Sequence, residues 1–372
     1  MNSEKIFTIT GNHLKNMISS MGDTIKNPRS SEADGSVRYV ESKDWTSGFF
    51  PGCLWFQYEF TEDTFWKEMA EKYSSLLEGE QFDNSNHDVG FKMFCSYGNG
   101  FRLKDGESYK KILIESATTL ASRYNSITRC IRSWDHNRDK WEFPVIIDNM
   151  LNLELLFWAS KESGQSNYFE IAKSHALTTL ANHFRIDNSC YHVVDYNAST
   201  GLVQHKHTHQ GYSHKSAWAR GQAWAIYGYT MCYRETGIKE FLHQAVKVTD
   251  FVMNHKNLPE DGIPYWDFDD PAIPKAPRDA SAAAVICSGL YELYQFLGND
   301  GIKYRDFADS IFKNLTSREY LAEIGENNNF ILKQSTGNFN KDDEVDKPLI
   351  YADYYFMEAA LRRSKLGQND FR

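Results

Sequence analysis

A chain of 372 residues with 41% apolar content is long enough for one large core or two ordinary domains. Its net charge of −9, with no block of Lys or Arg, argues against nucleic acid and anionic membrane surfaces as partners; an acidic ligand would need a local cationic pocket. The six cysteines form no CxxC pair and read as buried free thiols, and no run of about 18 apolar residues spans a membrane.

Apolar spacing and stop signals predict helices near 3–21, 48–60, 62–79, 88–98, 107–125, 144–163, 166–184, 217–236, 239–255, 279–296, 301–316 and 350–364. Gly164 and Gly237 stand where left-handed C-caps are expected. The strand-like runs are few, with HVVDYN at 192–197 and NFILKQS at 329–335 the best. The odd-numbered stretches, such as 62–79 and 107–125, carry charges on one face only. The even-numbered ones, such as 145–160, 216–233 and 279–296, are apolar nearly all round and so are expected to be buried.

Exposed helices alternating with buried ones predict an all-α fold: an (α/α)6 barrel of six helical hairpins, with a few short strands in loops. No Pro/Ser-rich linker divides the chain, so 1–372 reads as a single domain. The long irregular segments 80–87, 126–143, 185–216, 256–278 and 317–349 precede inner helices and would gather at one end.

The chemically telling residues also lie at the starts of inner helices. Asp148 sits in an apolar stretch, FPVIIDNMLNLELL, read as inner helix. Desolvation there would raise its pKa and leave it protonated near neutral pH, ready to act as an acid; a buried Asp bonding a helix end is the equal alternative. Asp88, in NHDVGF, is either a second carboxylate at the same mouth or a helix N-cap. Arg220 and Trp224 share one helix face, and a buried Arg there needs an anion, from an internal Asp or a substrate carboxylate. Trp45, Trp134 and Trp224 offer sugar-stacking faces, with core packing as the plainer role. His205, His207, His209 and His214 form a dense run without a carboxylate or Cys at ligand spacing, so it reads as a polar loop and no metal is assigned.

The segments NHDVGF, IIDNMLNLELLFWAS, CYHVVDY, HQGY and WARGQAW, in this order, resemble glycoside hydrolase family 88, the unsaturated glucuronyl hydrolases, from about Trp45 to Arg362. The resemblance implies an (α/α)6 barrel without metal or organic cofactor. It implies Asp148 as acid–base residue and Asp88, with Asn86 before it, as the second essential carboxylate, raising the pKa of Asp148 by its charge. His192, Gln210, Arg220, Trp224, Trp45 and Trp134 are implied at the substrate pocket. Ser335 and Lys341, in QSTGNFNK, correspond to a loop that binds substrate sulfate in some members.

The implied substrate is an oligosaccharide ending in a 4,5-unsaturated uronate, from chondroitin, heparin or hyaluronan, and the implied reaction is hydration of its vinyl ether. An unsaturated rhamnogalacturonyl hydrolase and a sugar 2-epimerase on the same barrel are the alternatives. The expected assembly is a monomer or weak homodimer. The start, MNSEKIF, has no signal-peptide core, which fits a cytoplasmic chain or one whose leader was removed before the periplasm.

Overall fold

The computed structural model describes residues 1–104 and 106–369. Its outer helices are α1 (Ser3–Ser20), α3 (Thr64–Ser75), α6 (Glu107–Ala121), α8 (Ser166–Asn182), α10 (Lys239–Met253) and α12 (Ile302–Leu315). Its inner helices are α2 (Phe49–Thr61), α4 (Val89–Met93) continued by a π turn into α5 (Asn99–Lys104), α7 (Asn149–Ser163), α9 (Ala219–Thr236), α11 (Ala280–Leu297) and α13 (Ile350–Asn369). Each inner helix packs against the next, and α13 packs back on α2, which closes the ring.

Sequence dictates this sorting. Every residue from Ala219 to Cys232 of α9 and from Ala280 to Leu293 of α11 is buried, as helices apolar on all sides require. In α10 only Phe241, Gln244, Ala245, Val248, Thr249 and Val252 are buried, one stripe at helical spacing. Asn2 and Asp63 cap α1 and α3 through their side chains. Gly164 and Gly237 end α7 and α9 with φ of 73° and 68°, the left-handed caps expected of them. One apolar cluster runs from Ile6 to Leu361, and all six cysteines are buried and free.

Two expectations for local structure need correction. The stretch 144–148 is not the start of a helix. Pro144–Ile146 form a strand, β5, because a proline followed by three β-branched residues favours extended backbone. The helix α7 begins only at Asn149, with Asp148 at its N-cap. The segment 329–335 also forms no strand as a unit: Asn327, Asn328 and Asn329 all adopt positive φ, and the strand there, β8, is Ser335–Asn338.

The strands decorate the mouth where the inner helices begin. The hairpin β1 (Asn27–Ser31) with β2 (Val37–Val40) precedes α2, and β3 (Tyr124–Asn125) pairs with β4 (Cys130–Ile131). The strand β5 pairs antiparallel with β6 (Val193–Tyr196), which pairs with β7 (Val203–His207). The hairpin β8 with β9 (Asp343–Lys347) precedes α13. Arg29 in β1 grips Glu344 in β9 through Nε (2.7 Å) and Nη2 (2.9 Å) and Asp44 through Nη1 (2.7 Å), joining the first and last loops across the mouth.

Candidate active site

A cavity of about 720 Å³ opens at this mouth. The sheet register builds one wall. Ile146 pairs with Val193, and the Ile147 amide donates to the His192 carbonyl (3.0 Å), so the next residue, Asp148, faces the His192 ring. The opposite wall depends on Gly90. A Cβ there would lie 2.4 Å from Asn152 Oδ1 and 2.7 Å from the Asn152 Cα, so only glycine lets α4 come this close to α7. The Asn152 side chain accepts the Phe91 amide (2.8 Å), and Asp88, two residues before Gly90, lands on the cavity shared with Asp148.

Neither carboxylate spends itself as a helix cap: Asp148 and Asp88 stand at N-cap positions without a side-chain capping bond. Asp148 is 14% exposed at the side chain, and its Oδ2 has no hydrogen-bond partner among the described residues. Burial pushes its pKa up to about 7, against the lowering pull of the Arg220 charge; the Trp224 indole also lowers it, while its N–H stays outside hydrogen-bond geometry. Asp88 is 22% exposed and is likewise pushed up to about 7, first by burial and then by the charge of Asp148. Burial is the first cause of both shifts, and the like charges of Asp88 and Asp148 raise each other, as expected of two carboxyls on one cavity. Lys92 lowers Asp88 only partly, since its ammonium is committed to Glu80 (2.7 Å) and Asp83 (2.6 Å).

His192 is buried and neutral, its pKa driven well below the usual value by burial and then by His209 and Arg220. Its Nδ1 accepts the amides of His209 and Gln210 (3.1 Å each), so the ring hydrogen resides on Nε2, 3.6 Å from Asp148 Oδ2.

The residues singled out in the sequence fall into two groups. Trp45, Asn86, Asp88, Trp134, Asp148, Gln210, Arg220 and Lys341 line the cavity. His192 and Trp224 lie behind Asp148, buried, and do not line it. Ser335 does not reach it at all: it is fully buried in β8, whose first three residues pack inward. Arg220 has found the internal anion: Nη1 donates to Asp279 (2.8 Å) and to the Thr336 carbonyl (2.6 Å), and Nη2 to the Gly337 carbonyl (2.6 Å). Those bonds leave two of its five N–H groups uncommitted. Its guanidinium rests on Trp218 at 4.6 Å.

Sequence reasoning missed His87, Tyr351, Arg29 and Asp44 on the wall. His87 sits inside the NHD motif, with Nε2 3.2 Å from Asp88 Oδ1, and burial and then the Arg123 charge push its pKa to about 3. The chemistry offered is two acids near pH 7 facing aromatic walls (Trp45, Phe91, Trp134, Tyr351), with cationic charge from Arg220, Lys43 and Lys341.

The sequence pattern of Glycosyl Hydrolase Family 88 matches residues 17–371. An unsaturated glucuronyl hydrolase of Formosa agariphila is 52% identical over 341 residues, covering 91% of this chain and 85% of that protein. One of Bacillus sp. (strain GL1) is 34% identical over 342 residues, covering 89% of each. The crystal structure of an unsaturated glucuronyl hydrolase specific for heparin superposes with a TM-score of 0.94 at 45% identity over 99% of both chains. With the barrel, the mouth and these relatives together, the chain is a glycoside hydrolase and belongs to Glycosyl Hydrolase Family 88.

Proposed function

We propose that this chain releases a 4,5-unsaturated uronic acid from the non-reducing end of glycosaminoglycan-derived oligosaccharides by hydrating the C4=C5 bond. The observation that carries the reading is a buried pair of carboxyl groups on one cavity, neither used as a helix cap. Protonated Asp148 delivers its proton to C4, and positive charge develops at C5 and the ring oxygen. The resulting carboxylate, facing the His192 Nε2–H, then takes a proton from water as the oxygen attacks C5. The net change is addition of H and OH across the double bond. The C5 hemiketal then opens to a ketone, and C1 expels the remaining saccharide without further catalysis.

Asp88 and Asn86 hold sugar hydroxyls, Trp45 and Trp134 supply ring-stacking faces, and Gln210 closes the pocket beside His192. Arg220 offers its uncommitted N–H groups and its charge to the substrate carboxylate. Similarity to a heparin-specific relative makes heparin-derived disaccharides the first substrates to try. The whole span 1–372 acts as one catalytic unit in this reading.

The test is loss of the double-bond absorbance, at about 235 nm for a conjugated enol ether, on incubation with an unsaturated disaccharide. Wild-type protein consumes the chromophore and Asp148→Asn does not. Equal rates for the two proteins would remove Asp148 from the mechanism, and an intact chromophore with an altered sugar would mean epimerase chemistry.

A further inference from the structure

The histidine run is the feature that the reaction does not absorb. Its structure is a ledge leading out of the cavity. Trp134, on the wall, stacks with His136 (centroids 5.4 Å apart, 17°) and lies 5.5 Å from His209. Its edge meets Trp141 at 6.1 Å, and Trp141 in turn meets His207 at 5.4 Å. The His207 ring stacks on His214 at 4.1 Å and 20°, and the Thr208 amide donates to His214 Nδ1 (3.2 Å), fixing that ring. The Lys140 ammonium lies 4.7 Å above Trp141. Lys140 and His214 are exposed.

Basic groups outnumber acids around His207 and His209. Lys140 joins no ion pair among the described residues. The charged groups acting on His207 are His214, His205 and Lys140, and those acting on His209 are Lys341, Lys140 and His136, all basic. Of the nearby acids, Asp135 is paired with Arg123 (2.9 Å) and Arg132 (2.6 Å), Asp195 lies opposite His205 in the register of β6 and β7, and Glu142 accepts the Ala198 amide (2.9 Å) and the Gln204 side chain (2.5 Å). A lysine outside any ion pair among the described residues, beside stacked imidazoles on a chain of net charge −9, is a place for an anion to bind.

We propose that Lys140, His207 and His214 form an anion-binding ledge that takes a second acidic group, sulfate or carboxylate, on the part of an oligosaccharide extending out of the cavity. The inference rests on the hydrolase reading above and adds to it a preference for chain length and charge. Contacts this far from the C4=C5 bond are made equally in ground and transition states, so they act on KM and leave kcat alone.

The experiment compares wild type with the double variant Lys140→Gln/His214→Gln on an unsaturated disaccharide and an unsaturated hexasaccharide of one sulfated polysaccharide. The ledge predicts disaccharide kcat/KM within about twofold of wild type and hexasaccharide KM raised about tenfold at unchanged kcat, the size of two screened charge contacts. An unchanged hexasaccharide KM, or an equal change for both substrates, overturns it. Calorimetric binding of sucrose octasulfate judges the ledge without turnover: wild type binds about tenfold tighter than the variant if the ledge exists. Equal binding overturns the ledge, whereas wild type that binds the probe and turns over neither saccharide overturns the hydrolase reading instead.

Discussion

The two ends of the barrel bury the same kinds of side chain and use them in opposite ways. At the far end a cavity of about 490 Å³ is lined by Glu154, Glu235, Glu358, Arg234 and Arg362 among others. There every buried acid has a cation: Arg234 contacts Glu154, Glu235 and Glu292, and Arg362 contacts Glu292 and Glu358. At the near end the two aspartates have none within bonding distance, and the nearest cations, Arg220 and Lys92, are held by other acids. A buried acid is therefore no mark of a site by itself. The mark is a buried acid left without a cation and open to the cavity: Asp353 is also buried and pushed up to about 8, but its oxygens accept the Ile331 and Leu332 amides and it does not line this cavity.

That contrast is open to direct attack. Asp148→Asn should lower kcat by about 10³-fold or more, as loss of a general acid that also serves as base does, while Glu154→Gln at the other end leaves kcat within about twofold. Steady-state kinetics on both variants checks this, and comparable losses at the two ends would erase the distinction. Arg234→Met should instead strike stability. It strands Glu154, while Glu292 keeps Arg362 and Glu235 keeps Lys161, and should cost about 3 kcal/mol, read as a lower denaturant midpoint, with kcat per folded molecule retained.

The pH dependence of stability sharpens the same point. The folded pKa of Asp148 is raised from 3.8 to about 7, so its contribution is fully present below about pH 4 and is lost as pH rises through 7. Asp148→Asn should therefore gain on wild type between pH 4 and 8, by on the order of 4 kcal/mol, measured by denaturation at both pH values. A smaller effect is expected of His192→Leu. Replacing a polar ring 3.6 Å from Asp148 Oδ2 by an apolar side chain deepens the desolvation and raises the Asp148 pKa, so the basic limb of kcat/KM moves to higher pH by up to about one unit and kcat falls about tenfold.

The regular part of the fold was legible because it is local. Helix positions follow from apolar spacing, and the Gly164 and Gly237 stops from the left-handed backbone that glycine accepts. The stretch before Asp148 was misread because Val145, Ile146 and Ile147 form an apolar run, and periodicity alone cannot assign so short a run to strand or helix. Asp148 and Asp88 could be named in advance, yet their state could not: whether an N-cap aspartate caps or stays uncommitted depends on the Asn152 side chain and Gly90 from another hairpin. The Arg29 grip on Glu344 and the engagement of Arg220 by Asp279 join residues far apart in sequence, and no spacing rule connects them. Ser335 shows the same limit, since one strand residue turned inward takes a plausible ligand out of reach.

The most direct measurement is the carboxyl titration of Asp148 itself, by carbon-13 NMR of protein labelled at aspartate carboxyls, with Asp148→Asn to assign the signal. The account predicts a midpoint near pH 7, the value that burial imposes on it. A midpoint near the ordinary aspartate value of about 3.9 would contradict it, since the carboxyl would then hold no proton to deliver.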